Sequence, residues 1–257
     1  MYSTTDPSQK VIVTLKGNEE IKPVDAGLWN PDNELALELE KVYYANTNQT
    51  ITVVDRAGNE TQVNIVITNI DRTAPVVVFP NTQGENEAYK SLKELEVTIT
   101  ESNLSEVYYA WANKNKYVNA TTQVPAENIT DNGDGTYTVK VPTVDGRNRL
   151  SIKAVDVAGN VTETYSTKGA YNIDTTPANV EVLYSTTDPS QKVIVTLKGN
   201  EEIKPVDAGL WNPDNELALE LEKVYYANTN QTITVVDRAG NETQVSIVIT
   251  NIEQLSN

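Results

Sequence analysis

The sequence predicts an all-β chain of three tandem β-sandwich modules, and three observations support this fold class. Residues 2–70 and 184–252 are copies of each other that differ at one position, which is Asn64 in the first copy and Ser246 in the second. Short segments rich in Val, Ile and Thr alternate apolar with polar residues, as half-buried strands do. Gly, Asn, Asp or Pro bounds each segment, as expected where tight turns join strands.

The predicted strands are short and recur along the whole chain. They lie at 10–16, 49–54 and 62–68 in the first copy and at 95–100, 107–111, 136–141 and 150–155 between the copies. This spacing is typical of a sandwich. The middle stretch also shares Asp-x-Ala-Gly-Asn with the first copy, at 156–160 and 55–59, and is therefore interpreted as a divergent module of the same kind.

The segment 33–43 is ambiguous because its residues are good helix formers. Its leucines alternate with other residues, at Leu35, Leu37 and Leu39. A strand would place these three leucines on one face, whereas a helix would spread them around its axis. The segment is therefore predicted to be a strand.

The repeat divides the chain into modules expected at 1–71, 72–174 and 175–257. The joints are marked by Asp71-Arg-Thr-Ala-Pro75 and Asp174-Thr-Thr-Pro177. Proline disfavours helix at the residue before it, so the linkers are expected to be short, extended and stiff.

The two copies differ in what precedes them. Residues 178–183 are predicted to form an opening strand of the third module, whereas Met1 alone precedes Tyr2. The first module is therefore expected to lack this strand and to expose a sheet edge with which another chain can pair.

Composition excludes several classes of function. The chain has no histidine and no cysteine, which excludes Ser-His and Cys-His catalysis and zinc sites of the histidine or thiolate type. Its formal charge of -16 disfavours nucleic acid and anionic membranes as partners. No apolar run reaches the ~20 residues of a membrane span, so no membrane insertion is expected. No acidic pair stands out as catalytic, and the chain is predicted not to be an enzyme.

The order strand, Asp-x-Ala-Gly-Asn, strand and then Ile70-Asp-Arg-Thr-Ala-Pro75 resembles the immunoglobulin-like repeats of bacterial surface proteins and adhesins. The resemblance covers nearly the whole chain. It implies tandem immunoglobulin-like β-sandwiches located outside the cell, at the bacterial cell surface or cell wall. Neighbouring modules of the same chain are then the first expected partners.

Asp-x-Ala-Gly-Asn has two interpretations. In the structural one it is a tight hairpin, with Gly58 at positive φ and Asp55 and Asn59 bonded to backbone groups. In the functional one, implied by the resemblance, these aspartates bind calcium at module joints, and no other cofactor is expected. That would place Asp55 with Asp71 at one joint.

Asp156 and Asp174 would then lie at the next joint. Two carboxylates together with carbonyl groups and water can supply the six to eight oxygens that calcium takes. The third copy has Asp237 but Glu253 in place of Asp71, so its site is expected to be incomplete.

Aromatic residues are the candidates for a surface ligand, either carbohydrate or protein. Trp29 and its copy Trp211 can form a sugar-stacking platform. Trp111 is a further candidate for ligand stacking, but it shares strand parity with Val107 and Tyr109 and is favoured as core.

Three functions follow from these patterns. The first is a non-catalytic stalk or scaffold that spaces or presents another region of a surface protein. The second is an adhesive module that binds carbohydrate or a host protein. The third is an accessory region of a secreted enzyme. Near-identical copies favour the stalk, because its length can change by adding repeats.

Overall fold

The computed structural model is built almost wholly from antiparallel strands. It describes residues 1–24, 27, 29–31, 34–82, 89–113, 116–166, 169–206, 211–213 and 216–253. Within these ranges the one helical element is a short 3₁₀ turn at Ala126–Asn128, and no helix is long and apolar enough to cross a membrane. The predicted all-β class is confirmed.

The first module is a four-stranded sheet, and its long first strand pairs with a different neighbouring strand along each half. The strands are β1 (Val11–Pro23), β2 (Ala36–Tyr43), β3 (Thr47–Asp55) and β4 (Glu60–Ile67), in the order β2-β1-β3-β4. The first half of β1 pairs with β2 and its second half with β3, with a register shift between Lys16 and Ile21. The two halves of the sheet share one hydrophobic core.

The middle module has two sheets that face each other. Its strands are β5 (Val76–Val78), β6 (Glu94–Thr100), β7 (Leu104–Asn113), β8 (Thr122–Gln123), β9 (Ile129–Asp131), β10 (Thr136–Pro142), β11 (Gly146–Asp156), β12 (Val161–Tyr165) and β13 (Tyr171–Ile173). One sheet has the order β5-β6-β10-β9, and the other β12-β11-β7-β8 with β13 paired to β11. Side chains of both sheets pack in a common core, which makes the module a sandwich.

The third module repeats the first with one strand more. Its strands are β14 (Val180–Tyr184), β15 (Val193–Pro205), β16 (Ala218–Tyr225), β17 (Thr229–Asp237) and β18 (Glu242–Ile249). The order is β14-β15-β17-β18, and β16 also pairs with β15. Three separate hydrophobic cores thus lie inside the three predicted ranges.

The segment predicted as a strand at 33–43 forms β2 in its described part, but its leucines do not share a buried face. Leu39 is fully buried, whereas Leu37 is 56% exposed. The pairing of β1 with β2 shifts register between Lys16 and Ile21, next to Leu37, and this irregularity breaks the alternation. A bulge of this kind depends on the pairing with the partner strand. The two-residue alternation of the leucines in the sequence therefore did not predict it.

The outer edge of β1 differs from that of its copy β15. In the third module β14 covers this edge, with Val182 opposite Leu197 and Val180 opposite Gly199. In the first module the described partner on this side is the single bridge between Tyr2 and Val13. Among the described residues, no strand pairs with this edge of β1 beyond Thr14, which leaves the edge open.

We predict that proline is tolerated at Lys16 but not at its copy Lys198. On this side of β1 the amide of Thr14 donates to Met1 O over 2.8 Å, so the amide of Lys16 faces the same open edge. Proline is accepted where a strand N–H faces solvent, whereas at Lys198 it removes a ladder bond to β14. We expect Lys198→Pro to destabilise the third module by about 1–3 kcal/mol, and Lys16→Pro to have a much smaller effect on the first.

The two copies can be followed separately by hydrogen exchange with mass spectrometry, because β4 contains Asn64 where β18 contains Ser246. In urea, Lys198→Pro should speed exchange in the Ser246 segment, and Lys16→Pro should leave the Asn64 segment almost unchanged. Equal effects of the two substitutions would contradict the open edge.

Candidate metal centres at the module joints

Each Asp-x-Ala-Gly-Asn segment closes a hairpin. At Asp156–Asn160, Asp156 Oδ1 accepts the backbone N–H of Asn160 over 2.8 Å, and Asp156 Oδ2 accepts the Asn160 side-chain amide over 2.8 Å. Gly58, Gly159 and Gly240 have φ values of 90°, 83° and 94°, a conformation in which glycine carries no steric penalty. The predicted turn is confirmed in all three modules.

The hairpin also holds the linker that enters its module. At the first joint, Asn160 Nδ2 donates to Asp71 O over 3.2 Å, and Thr162 Oγ1 donates to Pro75 O over 2.5 Å. At the second joint, Asn241 Nδ2 donates to Asp174 O over 3.0 Å, as Thr243 Oγ1 does to Ala178 O over 2.6 Å. The same two side chains bind the same two linker positions at both joints.

At the second joint the linker is also held by the module it leaves. Asp145, between β10 and β11, accepts the backbone N–H and the hydroxyl of Thr175, each over 2.8 Å, and the Thr176 hydroxyl over 2.8 Å. This linker therefore contacts both neighbouring modules through hydrogen bonds.

Three carboxylates meet at each joint. Oxygens of Asp71, Glu101 and Asp156 all lie within 4.8 Å of one another, and so do oxygens of Asp174, Glu201 and Asp237. In each set one aspartate comes from the linker and the other two acids come from the module that follows. Glu101, Asp156 and Asp237 are buried, with exposed fractions of 7%, 2% and 2%.

The structure groups the joint aspartates differently from the prediction. Asp71 lies with Asp156 rather than with Asp55, and Asp174 lies with Asp237 rather than with Asp156. The hairpin of a module faces the linker before it, not the linker after it. Asp237 therefore belongs to a complete set of three acids, although its site was expected to be incomplete.

Asp55 lies outside both three-acid clusters of the described chain. It keeps its hairpin bonds, and the side-chain amide of Asn59 holds the pKa of the Asp55 carboxyl below its usual range. Asn59 itself is exposed, whereas its copy Asn241 is 6% exposed under the linker.

Glu101 and Glu201 were not selected from the sequence, although a signal for them exists. Glu101 continues the inward series Leu95, Val97 and Ile99 along β6, and these three residues are buried. Glu201 likewise has the parity of the buried Leu197 and Ile203 in β15. Glu101 Oε1 accepts the backbone N–H groups of Ser102 and Asn103 over 2.7 Å and 3.0 Å. An acid at a core-facing strand position is rare, and this parity is the signal that could have identified both residues.

The donor set fits a hard divalent cation. All six side chains offer carboxylate oxygens, and the chain has no histidine or cysteine that would favour a softer metal. Calcium binds oxygens at about 2.4 Å, so two ligands on opposite sides of one ion lie about 4.8 Å apart. Carboxylates within 4.8 Å of one another can therefore share a single ion.

In the second cluster, the charged form of Glu201 is disfavoured. Burial, followed by the neighbouring carboxylates of Asp174 and Asp237, raises the pKa of Glu201. An acid whose pKa is raised on folding contributes stability below its unfolded pKa and loses that contribution as the pH rises through the folded pKa. At neutral pH the joint therefore carries repulsion that a cation would relieve.

The tryptophans expected to form a platform are buried. Trp29 and Trp211 are 2% and 3% exposed and belong to the cores of the first and third modules. Each has a lysine ammonium near its ring, Lys41 at 5.9 Å and Lys223 at 5.7 Å from the ring centroid. A ring buried to this extent offers no face to a sugar, so the structure corrects the platform prediction for both residues.

Trp111 packs partly buried against the middle core, as strand parity favoured. Its indole N–H donates to Pro142 O over 2.8 Å, and its ring meets Tyr171 edge to face at 6.0 Å between centroids. Its polar atom is therefore satisfied within the module.

Comparison with known proteins finds no family and only distantly similar structures. No protein-family model and no curated protein matches the chain. FdeC, an Escherichia coli adhesin, is 12% identical with a TM-score of 0.34 over 95% of both chains. A marsupial T cell receptor is 9% identical with a TM-score of 0.34, covering 97% of this chain and 99% of the receptor chain.

Extracellular domains 3–5 of Drosophila OTK are 11% identical with a TM-score of 0.27, covering 95% of this chain and 93% of the OTK chain. These TM-scores are low. The fold is therefore assigned from the strand pairing and the three cores described above.

We predict that Glu201→Gln stabilises the third module in the presence of a chelator at neutral pH. The substitution removes one of three crowded charges and keeps the hydrogen-bonding atoms, and the gain should not exceed about 1 kcal/mol because solvent screens a partly exposed carboxylate. Calorimetry at pH 7 and near pH 4 should show the larger gain at pH 7, because the burial and crowding that raise the pKa of Glu201 act on its charged form.

Glu19→Gln is the matched control, because Glu19 is the exposed copy of Glu201 and lies outside both described clusters. It should leave the unfolding transitions unchanged at both pH values. An equal gain from the two substitutions would contradict crowding at the joint.

Proposed function

We propose that this chain is a non-catalytic stalk segment of a bacterial cell-surface protein, which spaces or presents another region outside the cell. The observation that supports the proposal is the repeated joint. Two linkers of different sequence are held in the same way, by an asparagine and a threonine that bind linker carbonyl groups. A chain whose joints are built alike can be lengthened by repetition while each new module keeps a defined orientation.

The three carboxylates at each joint extend this proposal. We propose that each cluster binds one calcium ion, with Asp71, Glu101 and Asp156 as ligands at the first joint and Asp174, Glu201 and Asp237 at the second. Because the ligands come from both the linker and the following module, a bound ion would tie the two together. The net charge of -16 favours the uptake of cations.

We predict that calcium raises the unfolding temperature of the chelator-treated chain. An ion that binds only the folded state stabilises it by about 2.7 kcal/mol at a concentration 100 times its Kd. For modules of this size 1 kcal/mol corresponds to a shift of about 4–8 °C. Calorimetry with and without millimolar calcium measures the shift.

The duplication provides matched variants for this experiment. Asp237→Asn should abolish the calcium-dependent shift of the third module, whereas Asp55→Asn at the copied position should leave it intact, because Asp55 lies outside both clusters. A shift that survives Asp237→Asn, or that magnesium reproduces fully, would contradict a calcium site built from these residues.

We also predict a narrow distribution of distances between the first two modules. The chain has no cysteine, so a pair of spin labels can be introduced at the exposed positions Asn64 and Thr98 without removing native thiols. Pulsed electron resonance should give one narrow distance distribution in calcium and a broader one in chelator. A broad distribution in both conditions would rule out a spacer with fixed joints.

A further inference from the structure

We propose that a pocket on the outer face of the middle module binds one ring of a neutral carbohydrate. The pocket is lined by the segments 117–119 and 163–165 and by Ser151, and its volume is about 260 Å³. None of these residues belongs to the two three-acid clusters. The inference therefore goes beyond the stalk function and does not depend on it.

The pocket lies over the side of β11 that turns away from the core. Leu150 and Ile152 belong to the hydrophobic core of the module. Successive residues of a strand point to opposite faces, so Arg149 and Ser151 lie on the outer face. Ser151 is nevertheless only 3% exposed. A serine on the outer face of a sheet is buried only where other residues cover it, and here the segments 117–119 and 163–165 surround it.

Two tyrosines form an aromatic wall beside Ser151. Tyr165 lies directly opposite Ser151 in the neighbouring strand β12. The ring of Tyr117 meets the ring of Tyr165 at 4.1 Å between centroids, with an angle of 41° between the planes. Tyr117, Val118 and Tyr165 are 58%, 40% and 38% exposed. Exposed apolar groups that lie together mark binding surfaces, because a ligand that covers them removes apolar area from water.

The aromatic wall is held in place by the surrounding residues. Ala120 N donates to Glu163 Oε1 over 2.8 Å, which ties the segment after Tyr117 to β12. The guanidinium carbon of Arg149 lies 5.3 Å from the centroid of the Tyr117 ring, and Arg149 Nη1 donates to Ser166 O over 3.0 Å. A site that is already held in its binding conformation loses little conformational entropy when the ligand binds.

Two polar groups of the pocket can bind hydroxyl groups. Within the described part of the chain, the Ser151 hydroxyl has no hydrogen-bond partner, and Glu163 Oε2 has none either, because Ala120 binds Oε1. A serine hydroxyl both donates and accepts, whereas a carboxylate oxygen accepts. Leaving a nearly buried hydroxyl without a partner costs free energy, so a ligand that supplies one for Ser151 is favoured.

These features together favour a sugar ring as the ligand. A pyranose carries C–H groups on its faces and hydroxyl groups around its rim. The C–H groups can pack on the tyrosine rings while the hydroxyl groups bind Ser151 and Glu163. A wholly apolar ligand would leave both polar groups unpaired. The volume lies just below the roughly 300 Å³ at which pockets for drug-sized ligands begin, so the pocket accommodates one ring rather than an extended ligand.

The charge of the pocket favours a neutral sugar over an acidic one. The Glu163 carboxylate repels a second carboxylate, and the whole chain has a formal charge of -16. Arg149 is already engaged by the Tyr117 ring and by Ser166 O. An acidic sugar would therefore meet repulsion from Glu163 without a cation reserved for it.

The test titrates the whole chain with the methyl glycosides of glucose, galactose, mannose, N-acetylglucosamine and N-acetylgalactosamine. A chelator is present throughout, so that cations at the joints play no part. Saturation-transfer NMR should show transfer to the C–H protons of at least one glycoside, with a Kd on the order of millimolar. Methyl glucuronide should bind at least about fivefold more weakly than the best neutral glycoside, because its carboxylate meets Glu163.

Matched variants locate the binding. Tyr117→Ala removes one aromatic face, and Tyr165→Thr removes the other while keeping the β propensity of the strand, so each should raise the Kd at least about tenfold. Tyr165→Phe keeps the ring and should retain binding. Ser151→Ala should raise the Kd about two- to tenfold through the loss of one hydrogen bond. Tyr226→Ala is the control, since Tyr226 is 69% exposed and lies outside the pocket.

Three results would overturn the proposal, provided that calorimetry shows the variants to unfold at the temperature of the original chain. The first is no transfer to any of the five neutral glycosides at tens of millimolar, which would leave a protein side chain as the occupant that the pocket fits. The second is an unchanged Kd in both Tyr117→Ala and Tyr165→Thr. The third is an equal loss of binding in Tyr226→Ala, which would show adsorption on exposed tyrosines in general.

Discussion

The direction in which each module follows its predecessor depends on hydrogen bonds to linker carbonyl groups. An asparagine and a threonine near the last hairpin of a module bind the backbone of the linker that precedes it, at both joints. Every residue has a backbone carbonyl, whatever its side chain. The contact therefore tolerates the difference between Arg72-Thr-Ala-Pro75 and Thr175-Thr-Pro-Ala178. The carboxylates of the linker aspartates are placed by the same contact, and the candidate metal centres depend on it.

Local features of the fold could be predicted from the sequence. Strands, hairpins and joints follow from alternation, from glycine at positive φ and from proline, and each of these signals lies within a few residues. Asp71, Asp156 and Asp174 were selected from such local signals and lie in the clusters, whereas Asp55 does not, and the predicted pairs were wrong. The glutamate partners were not selected, because Glu101 and Glu201 are far from these aspartates in sequence and meet them only when a linker is laid against the next module.

The errors at Leu37 and the tryptophans share one physical cause. Whether a residue faces solvent is decided by the strand or loop opposite it, which pattern alone does not specify. Leu37 is exposed beside a register shift, and Trp29 and Trp211 fill cores although loops carry them. The two copies make the same point, since Asn59 and Asn241 have the same sequence neighbours and different burial.

The position of the three-acid clusters has a consequence for how such modules can be exchanged. Two acids of a cluster belong to one module, but the third comes from the tail of the module before it. A module moved to a new place in a gene therefore brings an unfinished site, which only a predecessor ending in an aspartate at the right distance can complete. An exchange that keeps the three acids together must therefore carry the junction between two modules, and not one module alone.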